Sequence, residues 1–156
     1  MKRLLAVAVV LFGLGGCAAT GISNKYAQDQ KRKLMLAQIL LEDNKVAVAQ
    51  DLLTSISNEP GVLGVTDEAL FRLALINLEA GDQKIATARS GRNLDKLIKH
   101  YPTSSWKNHA VTLKGLLDTY DGIVDEKAEL EKTARSLKSS NLSLTKELKD
   151  LRQDME

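Results

Sequence analysis

From position 116 every seventh residue is apolar: Leu116, Ile123, Leu130, Leu137, Leu144 and Leu151. Seven residues are close to two turns of α-helix, so this spacing commits the segment to helix and draws one continuous apolar seam along it. No proline or glycine follows Gly122 to interrupt it. A helix from about residue 105 to residue 156 is predicted, extending roughly 78 Å at 1.5 Å per residue. That exceeds the diameter of a small domain, so the seam cannot all fold back on its own chain. Setting the six residues at heptad position d places Leu113, Tyr120, Lys127, Ala134, Asn141, Leu148 and Met155 at a.

The segment 113–156 is therefore expected to form a coiled coil through Leu116, Ile123, Leu130, Leu137, Asn141, Leu144, Leu148 and Leu151. A buried asparagine at a favours a parallel, two-stranded register. The flanking charges are mixed in such a pair, because Glu147 faces Arg152 of the other strand favourably whereas Glu126 faces Glu131. Two partners fit this pattern: a second copy of the chain, giving a homodimer, or the coiled coil of another protein.

The rest of the chain also reads as helical. Its two prolines, Pro60 and Pro102, lie between apolar-periodic stretches, and no stretch alternates with a period of two. "AQILLEDN" at 37–44 and "ALINLEAG" at 74–81 share Ala, Ile, Leu and Glu at equal offsets, a period of 37 residues. A further 36 residues lead to Ala110, with Trp106 four residues ahead of it. Each of the first two stretches precedes a second small-residue and leucine-rich segment, Ala47 to Ile56 and Ala86 to Ile98. These hairpins resemble tetratricopeptide repeats, in which a small residue on the first helix admits the second. The unit "DEALFRLALINLEAGD" with its later "LIKHYPTSSW" is similar to repeats of periplasmic and outer-membrane assembly lipoproteins. It departs in its second helix, expected over 83–101, which is about one turn longer than a 34-residue repeat provides. Two and a half units fall short of the three that a stable solenoid needs, so something else is expected to cover the open end. A generic helical bundle is the alternative, and both readings place Leu70, Phe71, Leu73 and Ala74 in the core. The fold class expected is all-α, with short tetratricopeptide-like hairpins over 25–112 followed by a long C-terminal coiled-coil helix.

At the other end, Lys2 and Arg3 precede eleven apolar residues, 4–14, and then small residues around the single cysteine, Cys17. This is the layout of an export signal, and it is about half the roughly 20 apolar residues that a spanning helix needs. Leu14-Gly15-Gly16-Cys17 resembles the lipobox of bacterial lipoproteins. The resemblance implies a signal peptide over 1–16, a lipidated tether over 17–24 and a covalent lipid, palmitate included, on Cys17. Two or more acyl chains hold a protein firmly to a leaflet where one does not. Ala18, standing where an aspartate would retain such lipoproteins at the inner membrane, implies the periplasmic face of the outer membrane.

Loss of Lys2 and Arg3 with the signal brings Lys+Arg from 22 to 20, level with the 20 Asp+Glu, so no basic excess remains for nucleic acid. No thiol is left for a disulfide, metal or nucleophile role once Cys17 is lipidated. His100 and His109 show no ligand spacing, so no metal is expected. Ser104-Ser105-Trp106-Lys107 matches S-x-x-K, but the companion motifs of that chemistry are missing. No catalytic residues are assigned, no cofactor beyond the lipid is expected, and the chain is read as a binding protein rather than an enzyme. Tyr101 and Trp106, flanking the turn after the second unit, are the candidate partner-binding anchors. The function expected is a lipid-anchored periplasmic scaffold or adaptor in envelope assembly or maintenance. The alternatives are an accessory lipoprotein regulating an envelope two-component sensor kinase, which such lipoproteins resemble, and an activator of a cell-wall hydrolase.

Overall fold

The computed structural model describes residues 16–79 and 83–155, with side chains from residue 24 onward. The expected signal peptide thus lies almost wholly outside the described residues. The described residues are all-α: α1 (Gly16–Glu42), α2 (Val46–Asn58), α3 (Thr66–Leu78), α4 (Gln83–His100) and α5 (Lys107–Asp154). None of these helices is long and apolar enough to cross a membrane. Helix α1 takes in the backbone of 17–24, which were expected to form a tether ahead of the first helix. Alanines and the absence of proline let the helix run back through that stretch.

The breaks between helices follow local chemistry. Asn44 takes the left-handed conformation (φ 59°) just past α1. With the Lys45 amide donating to the Leu40 carbonyl (2.8 Å) and the Asn44 amide to Leu41 (3.0 Å), it completes a Schellman termination, asparagine standing in for the usual glycine. Between α2 and α3, Pro60 stops the first helix and Gly64 (φ 80°) provides the third residue of a type II turn, closed by the Val65 amide on the Val62 carbonyl at 3.0 Å. Helix α4 ends one residue before the expected Tyr101, with Lys99 and His100 in its last turn, where cations complement the helix dipole. Helix α5 begins at Lys107 rather than 105: residues 104–107 form a turn ahead of it, closed by the Lys107 amide on the Ser104 carbonyl at 3.2 Å, and the Ser104 hydroxyl accepts the Trp106 amide at 3.0 Å and caps the turn that leads into the helix.

The chain divides into two compact units, Met1–Lys114 and Gly115–Glu156, with the boundary inside α5. In the first, consecutive helices pack on one another: α1 on α2, α2 on α3, α3 on α4. Short connections make these neighbours antiparallel, the hairpin order expected from the repeat. Leu34 and Ala37 of α1, Leu53 and Ile56 of α2, and Ala69, Leu73 and Ile76 of α3 share one core with Val65. Ala37, Ala74 and Ala110, the three residues in repeat phase, are each 0% exposed. At such closely packed positions even one added methylene forces displacement. Leu70, Leu73 and Ala74 are buried as expected, whereas Phe71 is only half-buried, its ring stacked on Trp106, which is itself half-exposed.

The second unit is one helical stretch. Every described residue from 118 to 155 is exposed.

Candidate partner-binding surfaces

Three surfaces and one aromatic cluster could contact a partner, and each is built by a different part of the fold. The first lies where α1 crosses the end of α2. Glu59, just past α2, accepts from Lys33 Nζ (2.6 Å), from the Ser55 hydroxyl (2.9 Å) and from the buried Gln30 amide. Hydrogen bonds from Lys33 and then Ser55 hold the Glu59 carboxyl below its ordinary value. One turn before Gln30, Tyr26 donates its hydroxyl to the Pro60 carbonyl at 2.9 Å. Burial, and then the charge of Glu59, push the Tyr26 phenol above its ordinary value of 10.0. Tyr26, Gln30, Lys33 and Glu59 line a cleft of about 490 Å³ together with Asp29, Arg32 and Leu36.

Tyr101 closes the same corner from the other side. Its hydroxyl sits where a side chain at residue 61 would project, so Gly61 is the residue that leaves room for it. The loop 59–61 is clasped between two tyrosines, Tyr26 through a hydrogen bond and Tyr101 through contact.

Trp106 belongs to a different cluster. Its indole stacks on Phe71 of α3, with centroids 4.9 Å apart and planes inclined at 27°, and His109 meets Phe71 edge-on at 6.2 Å. Beneath the stack, Ser104 donates to the Asp67 carboxylate in the first turn of α3. Asp67 is buried and its Oδ1 has no hydrogen-bond partner among the described residues. The S-x-x-K serine is therefore a helix cap bonded to a buried aspartate. The two candidate anchors are not brought together: Tyr101 rests on Gly61 and Trp106 on Phe71, and both are half-exposed.

The second surface is the open end of the hairpins. At the repeat offset of 37, Leu36 and Ile39 of α1 correspond to Leu73 and Ile76 of α3, which are core residues. Leu36 and Ile39 are 49% and 48% exposed, so the cover expected at this end is not supplied by the described residues.

The third is the seam on α5. Leu116, Ile123, Leu130, Leu137, Leu144 and Leu151 are each 56–63% exposed, with Leu148 more so. Asn141 is exposed on the same stripe. Leu117, by contrast, is 8% exposed, one residue and roughly 100° around the helix from Leu116. Ion pairs on this stretch are local, Lys132 with Glu129 (3.4 Å) and Arg135 with Glu131 (3.3 Å). Such pairs add only a few tenths of a kcal/mol each.

Cys17 falls within the backbone of α1, and its side chain lies outside the described ones. Sequence reasoning missed the Glu59 cluster and the Asp67–Ser104 bond. The bonds from Gln30 and Lys33 to Glu59 and from Ser104 to Asp67 span 26 to 37 residues, and no local pattern announces them. No protein-family model, curated protein or solved structure matches this chain.

Proposed function

We propose that this chain is a lipid-anchored adaptor on the periplasmic face of the outer membrane, acting in envelope assembly or maintenance. Acyl chains on Cys17 hold it to the leaflet, the hairpin unit docks a protein partner, and the long helix assembles with another chain. The observation that carries the reading is the apolar series on α5, exposed at every d position from Leu116 to Leu151. In proteins most helical stability comes from packing an apolar face, and an exposed apolar stripe signals a surface meant to be covered. Leu14-Gly15-Gly16-Cys17 supports the anchor, and Ala18 supports the outer membrane. The half-exposed Tyr101 and Trp106 remain the anchors assigned to the hairpin unit's partner.

Two measurements test this. Palmitate labelling with membrane fractionation should show the label and the membrane association lost together in Cys17→Ser; a variant that keeps both refutes the anchor. Crosslinking in cells from Leu137 and Leu144, with mass spectrometry of the products, should capture a protein. Capture of none refutes the adaptor role of the long helix.

A further inference from the structure

We infer that the partner of the α5 seam is a second copy of this chain, aligned parallel and in register. The inference rests on the assembling role given to the long helix above and is independent of the lipid.

The choice between self-pairing and a foreign partner turns on what each residue meets across the seam. In a parallel, in-register pair every d layer joins identical residues, five leucine layers and one isoleucine layer, and leucine at d is the preference of two-stranded coils. Asn141 then faces Asn141 of the other copy, where the two amides satisfy each other. The best antiparallel alignment of the same charges, with Glu131 opposite Arg152, sets Asn141 against Leu144 and leaves the amide without a partner in an apolar layer.

The flanking charges decide the rest. Glu147 and Arg152 have no ion-pair partner within the chain among the described residues, and a parallel pair brings Glu147 of each copy to Arg152 of the other, twice. The apparent obstacle is Glu126 facing Glu131. The structure removes most of it: Arg135 already pairs with Glu131 at 3.3 Å along the same helix. Lys127, at the neighbouring a position, has a long stem that can carry its ammonium out of the seam toward Glu126 of the other copy. Lys127 also faces its own copy across the a layer, and the same outward path for its ammonium relieves that contact; the Glu126–Glu131 repulsion is thus partly offset by Arg135 and Lys127, while the two Glu147–Arg152 contacts are left for the partner. A foreign helix would need to reproduce this arrangement; a second copy has it by identity.

The test uses the full chain purified in detergent in a Cys17→Ser background, which leaves no native thiol and separates this question from lipidation. Sedimentation equilibrium at micromolar to tens of micromolar concentration should give a dimer. Leu137→Cys in that background should oxidise to a disulfide-linked dimer, because residue 137 faces itself only in the parallel register. A mixture of Leu137→Cys and Leu148→Cys chains, distinguishable by mass, should yield little mixed 137–148 product. Leu144→Asp should weaken dimerisation roughly a hundredfold or more, since it buries a charge in an apolar layer. Its Trp106 fluorescence should not move, showing that the hairpin unit is still folded. A monomer throughout the concentration range, or a predominant 137–148 crosslink, overturns the inference. A monomer here together with a foreign protein captured in cells would refute self-pairing alone and leave the adaptor reading standing.

Discussion

Replacing Ser104 by alanine removes one hydroxyl that serves two bonds. The hydroxyl accepts the Trp106 amide at 3.0 Å, capping the turn that leads into α5. It also donates to Asp67, whose other carboxylate oxygen is already without a partner and whose side chain is 1% exposed. Loss of a cap costs about 1 kcal/mol. Leaving a buried acceptor wholly unsatisfied adds about 1–3 kcal/mol. Ser104→Ala should therefore destabilise the hairpin unit by about 2–4 kcal/mol. Asp67→Ala in the same chain isolates the second contribution: once the carboxylate is gone, Ser104→Ala should cost only the cap, about 1 kcal/mol. The assay is urea denaturation followed by fluorescence of Trp106, the single tryptophan, which lies in this unit and reports on it without interference from the long helix. A cost below about 0.5 kcal/mol for Ser104→Ala, or strict additivity with Asp67→Ala, would refute the argument that one hydroxyl ties α5 to α3.

Gly61→Ala should cost about 1–3 kcal/mol by driving a methyl group into the Tyr101 hydroxyl, and Tyr101→Phe in the same chain should recover part of it, as thermal melts would show. Asn44→Val should cost about 1–2 kcal/mol because a β-branched residue resists positive φ, whereas Asn44→Gly should be neutral or stabilising; calorimetry of the two orders them. Glu59 binds its proton less tightly folded than unfolded, so its contribution is full above the ordinary 4.5 and is lost as pH falls through the depressed value. Denaturation midpoints between pH 6 and pH 3 should fall less steeply in Lys33→Met than in the parent. Tyr26 works in the opposite sense: its raised value means that its contribution is intact below 10.0 and is lost as pH rises beyond it, when the ionised phenol can no longer donate to Pro60. Tyr26→Phe should remove that alkaline loss.

The sequence by itself determined the features that depend on periodicity. A seven-residue apolar period has one structural solution, and α5 runs to Asp154 as that period requires. The recurrence of small residues at 37, 74 and 110 required close helix approach, and all three are fully buried. Helix breaks were legible where a single residue type enforces them, at Pro60 and Pro102, whereas the left-handed end at Asn44 was not. Tertiary structure alone decided where the aromatic side chains go. Tyr101 and Trp106 flank one turn, yet the first is drawn to Gly61, 40 residues earlier, and the second to Phe71, 35 residues earlier. Glu59 gathers Gln30 and Lys33 because the antiparallel packing of α1 and α2 lays the middle of the first against the end of the second. Local patterns fix backbone geometry through near-neighbour sterics and hydrogen bonds. Which distant surfaces then meet depends on helix packing, and no short stretch of sequence carries that information.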